Sequence, residues 1–131
     1  MANFEGVTAS SGAAIKPEKL EELMTYLEGF SACGEDGDMV KIEGNTIQIY
    51  GYDWFAVYEK YEVINSDTPE EKEVDYDNDV TDTFLEGLKP FLEEPLIVQS
   101  IGNEKCRYPL SAWEWKVNPE GEIQQGGFSL S

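Results

Sequence analysis

Between Pro17 and Phe30 apolar side chains return with a helical period: Leu20, Leu23, Met24, Leu27 and Phe30 fall at i, i+3, i+4, i+7 and i+10. That spacing predicts an amphipathic helix with the stripe turned to the core. Pro17 suits the first turn, Glu18, Glu21 and Glu22 favour the positive helix end, and Gly29 stops it. A second stripe of Phe84, Leu88, Phe91 and Leu92 predicts another helix from about Thr83. Thr83 and Glu86 have the spacing of a capping box, Pro90 cuts the helix short or kinks it, and Pro95 ends it.

Elsewhere the period is two. Met39 to Glu43 and Thr46 to Gly51 read as a hairpin across Gly44-Asn45, with Val40 and Ile42 opposite Ile47 and Ile49. Trp54 to Ile64 reads as one long strand with Phe55, Val57, Tyr61 and Val63 on one face and Lys60 and Glu62 on the other. The densest β-forming stretch is Leu96 to Val117, the expected central hairpin. Ile97 to Ile101 is an apolar run, Gly102-Asn103-Glu104 carries turn chemistry, and Ala112 to Val117 alternates with Trp113, Trp115 and Val117 sharing a face. Asn118 to Gly121 is a turn, Glu122 to Gln125 a short last strand, and Gly126 to Ser131 is expected to fray. At the other end, Asn3 to Val7 reads as an edge strand and Thr8 to Ala14 as loop.

Asn65 to Asp82 breaks both periods. Dense in acids, with a single lysine (Lys72) and almost no apolar payload, it reads as an exposed connector. On either side, Leu20 to Glu28 and Leu85 to Glu93 align without a gap, and both precede aromatic strands. This suggests two helix-plus-strands halves, 16–64 and 83–125, although two amphipathic helices also resemble each other by period alone. The expected fold is a single α+β domain over residues 1–131. It would hold an antiparallel sheet of about five to seven strands with two helices packed on one face.

Composition supports a globular body, with 40% hydrophobic residues, seven Tyr, six Phe and three Trp. Charge changes the picture. Asp and Glu number 27 against 9 Lys and Arg, a net −18 at pH 7, well beyond what solubility requires of a small domain. Direct binding to nucleic acid or to an anionic membrane is disfavoured by such a field, whereas a basic protein surface is attracted. Salt adaptation fits poorly, because every basic residue except Arg107 is lysine. Met1 to Ser11 has no basic and apolar leader, and no apolar run is long enough to cross a bilayer. A cytoplasmic protein with Cys33 and Cys106 reduced is therefore expected.

Candidate chemistry is sparse. There is no histidine, so the commonest general base and the commonest zinc ligand are both missing. Carboxylate pairs such as Glu70 and Glu71 lie in polar runs that offer no pocket, and Ser10, Ser11 and Ser111 lack a partner base. Lys105 and Arg107 flank Cys106, an arrangement that activates a thiol only when the side chains are close, and neighbours in a strand point to opposite faces. No phosphate-binding glycine motif occurs, and an enzyme is not expected. Asp75, Asp77, Asp79, Thr81 and Glu86 match positions 1, 3, 5, 7 and 12 of a calcium loop, but Val80 replaces the glycine of position 6 and Asp82 the apolar residue of position 8. Trp54, Trp113 and Trp115 are either sheet core or a binding platform.

The segment GNEKCRY, the aromatic strand after it and NPEGEI, within Ile101 to Ile123, resemble the C-terminal signature of small acidic proteins carried by phages, plasmids and integrated elements. The resemblance brings no catalytic residues. It implies a non-enzymatic inhibitor of a host defence nuclease, in some cases a DNA mimic. The expected function is thus a non-catalytic acidic protein whose face of Glu70, Glu71, Glu73, Asp75, Asp77, Asp79 and Asp82 docks on a basic, nucleic-acid-binding host partner. The alternatives are a calcium-binding module using Asp75, Asp77, Asp79 and Glu86, and a small domain with an incidental acidic surface.

Overall fold

The computed structural model describes residues 6–34, 37–62, 72–102 and 111–127. The protein is α+β, with short antiparallel ladders and two helices. The main sheet has the order β1 (Gly6–Ser10), β10 (Leu96–Gly102), β11 (Ser111–Val117), β12 (Gln124–Gly127). The stretch richest in β-formers therefore occupies its two central positions. Val98 pairs with Trp115 and Leu96 with Val117, so this end of one hairpin face is apolar. Along β10 the side chains of Leu96, Val98 and Ser100 are buried while Gln99 is exposed. The apolar run thus has two faces after all.

Two smaller ladders flank this sheet. Strands β2 (Ala13–Ala14), β7 (Thr46–Ile49) and β6 (Val40–Glu43) form one, in which Val40 faces Ile49 and Ile42 faces Ile47 across a turn where Gly44 supplies the positive φ of 63°. The other joins β3 (Phe30–Ser31), β8 (Tyr58–Glu62) and β9 (Lys72–Asp79) in that order, and β4 (Cys33–Gly34) pairs with β5 (Gly37–Asp38) alone. The strands are thus divided among several ladders, not gathered in one sheet of five to seven. Among the described residues no ladder pairs a strand between the two helices with one after the second; the N-terminal segment bridges to each side, through Thr8 to Gly51 and Ile15 to Leu92. One buried cluster nonetheless draws on both halves, from Leu23, Ile47 and Val57 to Phe84, Leu88, Val98 and Trp115.

Helix α1 (Leu20–Leu27) follows a 3-10 turn at Pro17–Lys19, and α2 (Thr81–Leu88) runs into a second at Lys89–Phe91, where Pro90 ends regular helix. The helices meet through Tyr26. Its hydroxyl donates to the Phe84 carbonyl at 2.9 Å and its ring stacks on Phe84 with centroids 5.8 Å apart. Gly87 makes this approach feasible: a Cβ there would overlap the Tyr26 hydroxyl and lie 2.6 Å from ring carbon Cζ. Met24, expected in the stripe, is 49% exposed, and Tyr26 takes its place.

Several expected boundaries move. Thr8–Ser10 and Ala13–Ala14 are strand, and Gly126–Gly127 pairs with Glu114 and Trp113 in β12, two residues later than the expected last strand. Helix α2 starts at Thr81, and no Thr83–Glu86 capping box forms. Of the long strand expected from Trp54, only Tyr58–Glu62 among the described residues is in a ladder, and Tyr61 is 48% exposed, away from the face of Phe55 and Val57. Lys72–Asp79, expected in the connector, is strand β9. The turn expected at Gly102-Asn103-Glu104 lies mostly outside the described residues, as do Val63, Glu70, Glu71 and the flanked thiol Cys106.

Candidate functional site

Residues 53–57 cross the interior without a strand partner, and buried hydroxyls supply what a ladder would. The Thr8 hydroxyl donates to the Asp53 carbonyl at 2.7 Å, so Ser100 donates in turn to Thr8 at 2.8 Å and accepts the Phe55 N–H at 3.0 Å. Two residues on, the Val57 N–H donates to the Thr81 hydroxyl at 2.9 Å and the Val57 carbonyl accepts the Val80 N–H at 2.8 Å. Ser100 and Thr81 are buried, so each is a polar group kept inside because it satisfies backbone that has no other partner. This threading places Trp54 and Phe55 between the main sheet and the start of α2.

There they line an open cleft of about 460 Å³. Its apolar wall is Trp54, Trp113 and Trp115, and its polar rim includes Asp79, Asp82 and Gln125. Trp115, 5% exposed, is anchored edge-on against Phe55 with centroids 5.4 Å apart. Trp54 and Trp113 are half-buried. A side-chain relay ties the three elements together: the Trp113 indole N–H donates to Gln125 Oε1 at 3.4 Å, and Gln125 Nε2 donates to Asp82 Oδ1 at 3.2 Å. Asp79 Oδ1 accepts both the N–H and the hydroxyl of Thr81, capping α2 from two residues before its first turn. Among the described residues no lysine or arginine lines the cleft.

The acidic residues singled out from the sequence fall into three groups. Glu70 and Glu71 lie outside the described residues. Glu73, Asp75 and Asp77 are on β9, the edge of its ladder. Here the register slips: Tyr58 pairs with Asp79 but Lys60 pairs with Val74, so Asp75 to Asn78 stand opposite Glu59 alone. A bulge on a charged edge bars a further strand from pairing there. Asp79 and Asp82, both exposed, are the two that the fold brings together, beside the tryptophans. Exposed carboxylates also stand elsewhere, as at Glu21 and Glu22 on α1 and Glu93 and Glu94 before β10.

The calcium-loop spacing does not become a loop. Asp75 and Asp77 are in a bulged strand, Asp79 is occupied with Thr81, and Glu86 pairs with Lys89 at 2.9 Å. Among the described residues no three carboxylate, histidine or cysteine groups are gathered so as to hold a metal ion. Nor, among those residues, is any helix long and apolar enough to cross a membrane.

What fold and site define is an antiparallel α+β protein with an acid-rimmed tryptophan cleft beside a charged strand edge. The chain matches no family model, no curated protein and no solved structure.

Proposed function

We propose that this is a non-enzymatic, cytoplasmic binding protein whose acidic stretch from Glu70 to Asp82 docks on the basic surface of a nucleic-acid-binding partner. The reading is supported chiefly by how the described part of that stretch, Lys72 to Asp82, is held. Lys72–Asp79 is a strand on a ladder edge that leads directly into α2. Its carboxylates from Glu73 to Asp79 are therefore carried on strand backbone, which reduces the ordering cost of association. The net charge of −18 steers a basic partner towards any face of the molecule, and the framed edge gives it one place to stop. The resemblance of the C-terminal third to small acidic proteins of mobile elements points the same way, towards inhibition of a host nuclease by occupation of its nucleic-acid groove.

The test is capture from host lysate at low salt, followed by elution in rising salt and, separately, with duplex DNA as competitor. Capture should weaken steeply with salt and yield to the DNA. A chain with Glu70, Glu71, Glu73, Asp75 and Asp77 changed to their amides should retain little of it. Capture that ignores salt and survives those amides would sink the reading.

A further inference from the structure

The cleft at the start of α2 has a chemistry of its own. Its rim carries two carboxylates, each with one oxygen already engaged and the other without a partner among the described residues. Its wall carries three indoles, and among the described residues no cation of the chain lines it. The N-terminus of α2 contributes about half a positive charge, which two carboxylates at Asp79 and Asp82 outweigh. An anion is thus disfavoured where the helix end alone would have welcomed one. An apolar ligand would satisfy the indoles but strand the carboxylates against a dry surface. A cation with flat faces satisfies both.

We propose that the cleft receives the guanidinium of an arginine side chain presented by the basic partner, stacked on tryptophan and hydrogen-bonded to the free oxygens of Asp79 and Asp82. The proposal rests on the binding reading above and specifies its contact point. Arginine fits better than lysine for reasons of shape: its planar fork bonds carboxylates edge-on while its face lies on an indole, and it gives up less hydration than an ammonium. The relay from Trp113 through Gln125 to Asp82 fixes one carboxylate relative to one indole. A cleft of about 460 Å³ is in the size range of small-ligand sites and exceeds what one side chain occupies, leaving room for the flanking backbone of the partner.

The probe is the blocked tripeptide acetyl-Gly-Arg-Gly-amide, compared with its citrulline and lysine counterparts, on the full chain. Tryptophan emission and the indole N–H resonances of Trp54, Trp113 and Trp115 are followed during titration. Saturable binding of the arginine peptide is expected, with perturbation of the Trp54 and Trp113 resonances. Citrulline, of the same shape without the charge, should bind about tenfold more weakly or worse, since charge-assisted hydrogen bonds are about twice as strong as neutral ones. Asp82→Asn, which still accepts the Gln125 bond and leaves the core untouched, should cost the arginine peptide a similar factor. Equal binding of arginine and citrulline, equal binding of arginine and lysine, or an unchanged affinity in Asp82→Asn overturns the proposal. If the cleft ignores arginine while amides at 70–77 still abolish salt-sensitive capture, this inference falls and the docking edge stands. If capture also survives those amides, the binding reading falls with it.

Discussion

The two ends of helix α2 are built on opposite plans. At its C-terminal half Gly87 lets the Tyr26 ring press against helical backbone, with Phe30, Phe84 and Phe91 completing an aromatic nest within 5.8 Å centroid separations. At its N-terminal half, one and a half turns away, Thr81 is buried but Asp82 and Thr83 look into an open cleft. The closed end gains its stability from excluded volume and has no room for another atom. The open end is held by a few hydrogen bonds and keeps tryptophan surface in reach of solvent. A small domain can thus combine a rigid joint and an accommodating surface on one short helix, provided they face different neighbours.

The contrast can be broken most forcefully at the closed end. Gly87→Ala would gain about 1 kcal/mol in an open helix, but here the added methyl group collides with Tyr26. We expect a net loss of about 2 kcal/mol from overpacking, read as a lowered urea midpoint, and a smaller loss when Tyr26→Leu is also present. A gain in stability would show that the joint is slack. Next in size is Ser100→Ala, which leaves the buried Phe55 N–H without its acceptor and the Thr8 hydroxyl without its donor. Its cost should be about 2 kcal/mol or slightly less. Asp79→Ala at the open end removes the acceptor for the Thr81 N–H and hydroxyl and should cost about 1 kcal/mol. A smaller effect than at position 100 is expected because Asp79 is exposed.

The finest test is spectroscopic. Burial pushes the Tyr26 hydroxyl up from 10.0 to about 12, so the folded chain keeps this proton after the unfolded chain has released it. Stability from this group is therefore complete below pH 10 and is lost as pH rises towards and through 12. Absorbance titration should show a late component that is absent in Tyr26→Phe. That variant should also lose less stability between pH 10 and 12. Identical titration curves would place Tyr26 in water.

Legibility from sequence followed the locality of each interaction. The β6–β7 hairpin could be read because Gly44-Asn45 and its alternation lie within ten residues, and β10–β11 because Trp113, Trp115 and Val117 outweigh their polar neighbours. Helix α2 starts two residues before the expected Thr83, since the side chain at its start is Asp79 acting on Thr81 and not the more familiar box three residues apart. Strand β9 reads as connector in the sequence. Its apolar content is Val74 and Tyr76 among eight residues, and the bulge at Asp75 to Asn78 removes the alternation by which a strand announces itself. Trp54 to Val57 alternates as a strand does, yet its hydrogen bonds go to Ser100 and Thr81, far along the chain. The cleft was only half visible. By sequence the tryptophans suit either platform or core; in the structure Trp115 is largely core while Trp54 and Trp113 are half-open. Nothing in the spacing of residues 54, 82, 113 and 125 announces that they share a wall, because only the threading of 53–57 beneath α2 brings them together.

Strand β12 is the lightest piece of the main sheet, four residues long with two glycines and mostly exposed. It is also the piece that contributes Gln125 to the rim. Anything seated among the indoles therefore bears on the outermost strand, whose amides open to solvent at little cost when unloaded. Slowed deuterium uptake at Gln124 to Gly127 would make the tail of the sheet a gauge of whether the cleft is filled, read without any label on the occupant.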